Sequence, residues 1–117
     1  MIRDCVALQK QGKTRQVLRA IGKGHSPNAI CVHTTQSSDS DRESHLHMIN
    51  LNANMNKVVD INRASCTIQI LGGTTLEEIS RALRDDGALS LSNLPSISDL
   101  TFAGVIATGS HGTGLSN

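Results

Sequence analysis

The feature that most limits what this chain can fold into is its last quarter, residues 93–114, which reads NLPSISDLTFAGVIATGSHGTG. Small residues, hydroxyl-bearing residues and glycines dominate this stretch, so it cannot fill a core by bulk. It suits a backbone that approaches another group closely, because glycine leaves its N–H uncovered and adopts positive φ. A shorter segment of the same kind, Gly22–Pro27, lies upstream. Two such loops in one small chain predict a large, flat, phosphorylated ligand.

The composition predicts a thin core. The chain has 117 residues, enough for one modest domain, and 38% of them are hydrophobic. It contains one Phe, no Trp and no Tyr, although aromatic side chains usually supply the largest single burials. The core must therefore be built from Ile, Val, Leu and Ala, and we expect the chain to be a piece of a larger unit.

Charge and hydropathy exclude several partner classes. The net charge is +1, from 11 basic and 10 acidic residues, so nothing steers the chain to nucleic acid. No apolar run approaches the roughly 20 residues that a membrane span needs. The first residues lack the basic-then-apolar order of a signal peptide. The sequence itself leaves the cellular location open.

The cysteines and histidines permit a zinc site but do not favour one. Three cysteines are present, and no Cys-x-x-Cys or His-Glu-x-x-His motif occurs, so free, mostly buried thiols in a reducing compartment are expected. The alternative is a small zinc-binding domain using Cys31, His33, His45 and His47. The segment between the two pairs is long and polar, and we predict no metal.

The periodicity predicts an α+β sandwich rather than a regular β-α-β winding. A helix capped by Thr74 or Thr75 is expected, with Glu77 and Glu78 in its first turn and Gly87 at its end. Leu76, Ile79, Ala82 and Leu83 would form its apolar face. The other expected elements are a helix end at 2–11, a buried strand at 16–21, a polar loop at 34–44, a three-stranded meander at 48–51, 58–61 and 66–70, a strand at 88–91, and a helix at 99–109 capped by Asp99.

The segment Gly22-Lys-Gly-His-Ser26 permits two interpretations. One is a simple tight turn. The other is a concavity of uncovered N–H groups that suits phosphate oxygens. The segment is neither a Walker A loop nor a complete Gly-x-Gly-x-x-Gly motif. His25 is flanked by groups that keep other side chains away, so a presented imidazole could act there as base, metal ligand or nucleophile.

The second glycine-rich segment, Gly109-Ser-His-Gly-Thr-Gly114, also permits two interpretations. It is either a flexible loop or a backbone clamp on a ligand, with Ser110 and Thr113 donating hydroxyl hydrogen bonds. The density of glycines and hydroxyls favours the clamp. The carboxylates Asp39, Asp41, Asp85 and Asp86 are expected to be solvated, since nothing fixes two of them across a cleft.

Together, Gly22-Lys-Gly-His-Ser-Pro27 and the segment from Gly87 to Gly114 resemble the sugar-lactone oxidases. These are the L-gulonolactone and D-arabinonolactone oxidases, with alditol oxidase as a relative, in the vanillyl-alcohol-oxidase class of flavoproteins. The resemblance runs from about Val6 to the last residue. It implies the first subdomain, and the start of the second, of a PCMH-type FAD-binding domain over residues 1–117.

The resemblance also implies a set of cofactor-binding residues. In many members the histidine of Gly-His-Ser carries FAD covalently through its 8α-methyl group, and the matching residue is His25. The other implied FAD contacts are Ile21, Gly22, Lys23, Gly24, Ser26, Asn93, Ser98, Thr101, Gly104, Thr108, Gly109, Ser110 and His111.

What the resemblance implies about activity concerns a longer protein. The family oxidises a CH–OH group of a sugar lactone or polyol, with oxygen as the expected acceptor. Its members are considerably longer, so we expect the substrate domain and the catalytic residues to be absent from this chain. Relatives are often membrane-associated. The rival interpretation is a truncated, non-catalytic remnant that binds a nucleotide weakly or not at all.

Overall fold

A computed structural model describes residues 6–7, 15–27 and 44–114 of the chain. The chain divides into two compact units. The first comprises Met1–Ile21 with Ser26–Ile49, and the second comprises Gly22–His25 with Asn50–Asn117. The mixture of helices and strands agrees with the predicted α+β class.

The first unit contains a two-stranded sheet of β1 (Arg15–Ile21) and β2 (Ser44–Asn50). β1 confirms the strand predicted at 16–21, but the prediction that this strand is buried is wrong, because residues 16–21 are half-buried or exposed. Val6 and Ala7 are helical, as predicted, and the rest of 2–11 lies outside the described residues. Of the polar loop predicted at 34–44, Ser44 already belongs to β2, and residues 34–43 lie outside the described part of the chain.

The second unit contains five elements. In chain order they are α1 (Leu51–Asn54), β3 (Val58–Asn62), β4 (Thr67–Ile70), α2 (Leu76–Gly87) and α3 (Phe102–Thr108). The predicted three-stranded meander is wrong, because β2 pairs with β1 while β3 pairs with β4. The Asn50 side chain accepts a hydrogen bond from Asn52 N at 2.9 Å, which starts a helical turn where the prediction continued the strand.

The hairpin of β3 and β4 confirms two predicted strands. The strands are antiparallel, with Ile61 opposite Ile68 and a register shift between Val58 and Asp60. Asn62 Oδ1 accepts from Ser65 N at 3.0 Å and shapes the turn. Cys66, predicted as the first strand residue, adopts a positive φ of 51° in that turn, so β4 begins one residue later.

Helix α2 begins with the predicted cap. Thr75 Oγ1 accepts from Glu78 N at 3.2 Å, and Glu78 Oε2 accepts from Thr75 N at 2.8 Å. This reciprocal pair is a capping box, which satisfies two backbone donors at once. Glu77 then pairs with Arg81 one turn later at 3.0 Å. The acidic first turn also complements the positive end of the helix.

The core of the second unit is the apolar face of α2. Leu76, Ile79 and Leu83 are buried there, Ile79 completely; Ala82, expected on the same face, is half-buried. Burying each large side chain contributes roughly 1.5–3 kcal/mol. Partly buried apolar residues of β3, β4, α3 and the segment between α2 and α3 complete the cluster: Ile61, Ile68, Ile70, Leu91, Leu100, Phe102 and Val105.

The end of α2 differs from the prediction in one respect. The helix does end at Gly87, but the left-handed residue that closes it is Ala88, with φ 57° and ψ 33°. A Cβ on Gly87 would instead approach the Arg63 guanidinium at 2.8 Å. The strand predicted at 88–91 is absent. Leu89 N donates to Leu83 O at 3.1 Å, so this backbone closes the helix and is not available for a ladder.

The stretch from Ser98 to Ala103 is hydrogen-bonded to the turn that precedes α2. Leu76 N donates to Leu100 O at 3.0 Å, Glu77 N to Ser98 O at 3.0 Å and Phe102 N to Thr74 O at 2.9 Å. Thr75 and Thr101 form a β-bridge at the centre of this contact. We call residues 98–103 the docked segment.

Helix α3 follows the docked segment and is shorter than predicted. The N-cap is Thr101, without a side-chain capping hydrogen bond, so the prediction that Asp99 caps this helix is wrong. The Asp99 carboxylate instead contacts two side chains of the 22–25 loop. The predicted end is confirmed, because Gly109 adopts φ 62° at the C-cap.

The capping box gives a first prediction. Thr75→Val keeps the shape of the side chain but removes the acceptor for Glu78 N, so the free energy of unfolding should fall by about 1 kcal/mol. Thr75→Ser keeps the hydroxyl and should lose less. Urea denaturation followed by circular dichroism measures both. A Thr75→Val protein as stable as wild type would show that the cap contributes nothing.

The left-handed alanine gives a second prediction. Ala88→Gly removes a Cβ from a conformation that L-residues disfavour, so stability should rise by about 0.5–1 kcal/mol. The control is Ala82→Gly inside α2, where glycine should lower stability by a similar amount. Thermal denaturation of the two variants should shift in opposite directions. Equal destabilisation by both would contradict a left-handed Ala88.

Candidate functional site

Within the second unit, the Gly22–His25 loop meets the docked segment. Gly22 lies against Thr101, so that an added Cβ would overlap the Thr101 hydroxyl and lie 3.3 Å from its methyl carbon. Gly104 lies on the same threonine, 3.0 Å from its hydroxyl at the Cβ position. Thr101 is only 3% exposed and is held by its bridge to Thr75. The close approach predicted from the glycines is therefore made to the docked segment.

One carboxylate joins the loop to the docked segment. Lys23 Nζ lies 2.6 Å from Asp99 Oδ1, and His25 Nε2 lies 3.3 Å from Asp99 Oδ2. Each partner is therefore held by a different carboxylate oxygen. The residues are more than 70 positions apart in sequence, so these contacts exist only because the chain folds back on itself.

The charge state of this group follows from its neighbours. The hydrogen bond from Lys23 is the largest cause that lowers the pKa of Asp99 below its ordinary value of 3.8, and the His25 contact lowers it further. Desolvation acts in the opposite direction but does not prevail. Asp99 is therefore ionised at neutral pH and accepts hydrogen bonds only.

An acceptor-only partner determines which histidine nitrogen carries the proton. Because ionised Asp99 cannot donate, its contact with His25 requires a proton on Nε2, which leaves the lone pair of a neutral imidazole on Nδ1. The opposite assignment holds at His111, whose Nδ1 lies 2.8 Å from the Gly112 carbonyl oxygen. That ring must donate from Nδ1, and its lone pair is on Nε2.

The other candidate residues of the last quarter form a second group. Thr108 Oγ1 donates to Gly104 O at 2.9 Å and contacts Ser110 Oγ at 2.8 Å. Ser110 N donates to Val105 O at 2.9 Å. These hydroxyls therefore close the end of α3, beside the left-handed Gly109.

Glycine is also required next to Asn93. A Cβ on Gly112 would overlap both the Leu94 carbonyl oxygen and the Asn93 amide oxygen. The segment after α3 therefore passes directly over Asn93.

The predicted residues fall on both units. Ile21 and Ser26 belong to the first unit, and the other twelve belong to the second. Within the second unit, residues of the 22–25 loop contact Thr101 and Asp99. Thr108 contacts Ser110 at the end of α3. Asp99 was predicted as a helix cap and not as a residue of this site. Its position between the candidates Ser98 and Thr101 is the signal that could have identified it.

The structure gives no support to a metal site. Among the described residues, no three His, Cys, Asp or Glu side chains are grouped so that they could hold an ion. His45 and His47 lie on β2, where His47 Nε2 contacts Gln16 Oε1 at 2.8 Å. Cys31 and His33 lie outside the described residues. No helix in the described ranges is long and apolar enough to cross a bilayer.

The Lys23 contact predicts how Asp99 titrates. A lowered folded-state pKa means that the ion pair is complete above the ordinary aspartate pKa and is lost as pH falls through the lower folded value. Lys23→Met should therefore raise the pKa of Asp99. Lys57→Met, which removes an exposed lysine outside the loop, should leave it unchanged. Titration of the carboxyl ¹³C shift by NMR measures the pKa of Asp99. An Asp99 pKa that is the same in Lys23→Met as in wild type would contradict the contact.

Known proteins resemble the chain over almost its whole length. The profile of a family described as "FAD binding domain" matches residues 3–117. L-galactono-1,4-lactone dehydrogenase 2, mitochondrial, of Oryza sativa subsp. japonica is 35% identical over 86% of this chain and 15% of its own length. L-gulonolactone oxidase of Mus musculus is 31% identical over 97% of this chain and 22% of its own. D-arabinono-1,4-lactone oxidase of Candida glabrata is 31% identical over 94% of this chain and 19% of its own.

The matches cover most of this chain but only a small part of each relative. The chain spans only 15–22% of the length of these relatives. The similarity therefore concerns the flavin-binding portion and not the remainder of those proteins. Because the family profile covers nearly every residue, the chain belongs to the FAD binding domain family and is homologous to the aldonolactone oxidoreductases over that domain.

Proposed function

We propose that this chain forms the FAD-binding part of an oxidoreductase that oxidises a CH–OH group of an aldonolactone or a related polyol. Its relatives are named for galactonolactone, gulonolactone and arabinonolactone, which supports a lactone as the substrate class. Within the protein, residues 1–117 would form the first subdomain and the start of the second of a PCMH-type domain. Residues that select the substrate would lie in another part of the protein.

The observation that carries this proposal is the meeting of the two candidate motifs. The Gly22–His25 loop contacts the docked segment through Gly22 on Thr101 and through the Asp99 carboxylate. Gly22 and Thr101, candidates from two distant stretches of sequence, thus touch each other, and His25 of the same loop contacts Asp99 of the docked segment. A simple tight turn at 22–25 would not require a partner on the docked segment.

The shape of the loop suits a dinucleotide. Gly24 has φ 78° and Gly109 has φ 62°, and a Cβ built on either would meet nothing within 4 Å. The backbone at Gly24 therefore faces open space, as the backbone of an anion-binding nest does. At the end of α3, by contrast, the amides of Gly109 and Ser110 already donate to Ile106 O and Val105 O. We propose the FAD-binding set as Ile21, Gly22, Lys23, Gly24, His25, Ser26, Asn93, Ser98, Thr101, Gly104, Thr108, Gly109, Ser110 and His111.

A helix N-terminus, the usual alternative for phosphate binding, is not available at α2. Its leading amides at Leu76, Glu77, Glu78 and Ile79 donate to Leu100 O, Ser98 O, Thr75 Oγ1 and Thr75 O. No donor of this turn is left for a ligand. This favours the Gly22–His25 loop as the source of main-chain donors.

Bound FAD would supply the redox chemistry by accepting a hydride from the substrate carbon. The residues of this chain would bind and orient it, and dioxygen would be the terminal acceptor. His25 would be the residue to which the flavin is attached. Its ring is partly exposed, at 36% of the side chain, so it is accessible while Asp99 holds its other edge.

The proposal predicts that His25 carries the flavin. In the full-length protein, His25→Ala should abolish acid-stable yellow colour, because no imidazole nitrogen is available to form the bond. Precipitation with acid, followed by flavin fluorescence of the denatured polypeptide, measures this directly. The matched control is His45→Ala on β2, which should keep the covalent flavin.

Two outcomes would contradict the proposal. Acid-precipitated His25→Ala protein that stayed yellow would show that the flavin is attached to another residue. Wild-type protein that bound no FAD, covalently or otherwise, would favour the non-catalytic remnant over an oxidoreductase.

A further inference from the structure

We propose that Asp99 is a positioning residue for flavin attachment, holding His25 in one orientation and one tautomer while Lys23 holds Asp99. This inference rests on the proposed function, in which His25 bonds to FAD. Asp99 itself would not touch the reacting atoms. Its effect would be exerted through the imidazole.

The geometry first fixes the carboxylate. Lys23 Nζ lies 2.6 Å from Asp99 Oδ1, a short charge-assisted contact that orients the carboxylate plane. The main chain on either side is fixed too, because Leu100 O accepts from Leu76 N and Ser98 O accepts from Glu77 N, each at 3.0 Å. Asp99 therefore extends from an immobilised backbone and is held at its tip.

The second carboxylate oxygen then orients the histidine. His25 Nε2 lies 3.3 Å from Asp99 Oδ2, and an ionised carboxylate requires that this nitrogen carry the proton. The neutral ring then has its lone pair on Nδ1, the nitrogen away from the carboxylate. Metal-bound and catalytic histidines are oriented in the same way by a carboxylate on the opposite nitrogen.

The stability of the fold does not explain this arrangement. The Lys23 and Asp99 side chains are 36% and 46% exposed, and ion pairs at such positions contribute little because water screens them. The Lys23–Asp99–His25 chain of contacts is therefore better explained by what it does to the ring.

The attachment step needs a nucleophilic nitrogen and an acceptor for two electrons. His25 would form one C–N bond to the 8α carbon, while one C–H bond of that methyl group and the N–H bond of the imidazole are lost. The electron pair of the C–H bond reduces the isoalloxazine ring, which takes up both hydrogens. Dioxygen then accepts two electrons and two protons as hydrogen peroxide. By keeping the Nδ1 lone pair available, Asp99 would accelerate the first of these events.

The test is the rate of covalent attachment in the full-length apoprotein. Protein produced under riboflavin limitation is mixed with saturating FAD, quenched with acid at intervals and assayed for flavin fluorescence on the polypeptide. Asp99→Asn should slow attachment by about 10- to 100-fold, the usual cost of losing an outer partner of a functional histidine. Asp99→Glu should recover part of the rate, and Asp85→Asn, on the exposed side of α2, should match wild type.

A second measurement reports the tautomer directly in the wild-type apoprotein. Long-range ¹H–¹⁵N spectra of ¹⁵N-histidine-labelled wild-type apoprotein, with His25→Ala used for assignment, report the tautomer of His25. We expect the Nε2–H form to dominate the neutral ring in wild type, and to lose its dominance in Asp99→Asn. Because attachment is measured at saturating FAD, a change in non-covalent affinity does not enter the rate that is compared.

The outcomes distinguish the two proposals. Attachment at the wild-type rate in Asp99→Asn, or a wild-type His25 that is mainly protonated on Nδ1, would overturn the role of Asp99 alone. Retention of covalent flavin in His25→Ala would overturn the attachment site and this inference with it. Loss of covalent flavin in His25→Ala together with slow attachment in Asp99→Asn supports both.

Discussion

The backbone contact between the docked segment and the turn before α2 is the constraint on which the second unit depends. Four hydrogen bonds of 2.9–3.0 Å join residues 98–103 to residues 72–77. They satisfy the first two amides of α2 and the first two of α3, groups that a helix cannot satisfy internally. The same contact brings Leu100 and Phe102 onto the buried face of α2. One interaction thus terminates two helices and completes the core.

This contact also determines where the charges lie. Because Ser98 and Leu100 are held on both sides, Asp99 extends from a fixed position toward the loop, where it pairs with Lys23 and His25. The lysine is therefore neutralised before any ligand arrives. An anionic cofactor would then be recognised by uncovered main-chain amides more than by a free ammonium group, which suits a loop built on glycine.

Local chemistry determined most of what the sequence predicted correctly. The Thr75–Glu78 capping box, the apolar spacing of Leu76, Ile79 and Leu83, and the strands at 58–61 and 66–70 depend on neighbours a few positions apart. The prediction also brought Gly22 and Thr101 into one candidate site, but through a family resemblance and not through any local rule. Alternation indicates that a strand exists but not which strand it pairs with, so β2 was assigned to the wrong sheet.

The wrong predictions have a common origin: local sequence patterns do not show which contacts a residue makes once the chain is folded. Asp99 has the composition and position of a helix cap, yet two cations 74 and 76 residues away are its partners. Ala88, and not Gly87, adopts the left-handed conformation expected of glycine, which nothing in the structure explains. A strand at 88–91 was predicted from its apolar alternation, but Leu89 N is used to close α2. At Asp99 a long-range contact prevailed over local propensity, and at Leu89 the hydrogen bond that closes α2 did so.

The acceptors for the amides of Leu76 and Glu77 lie more than twenty residues further along the chain, on Leu100 and Ser98. Protection of these two amides against solvent deuterium therefore does not depend on α2 being helical. It depends on whether the docked segment, which carries Asp99 and Thr101, is in contact with the start of α2. Hydrogen exchange at these two amides thus reports how often the docked segment separates from the start of α2. The remaining amides of the helix would not report this opening.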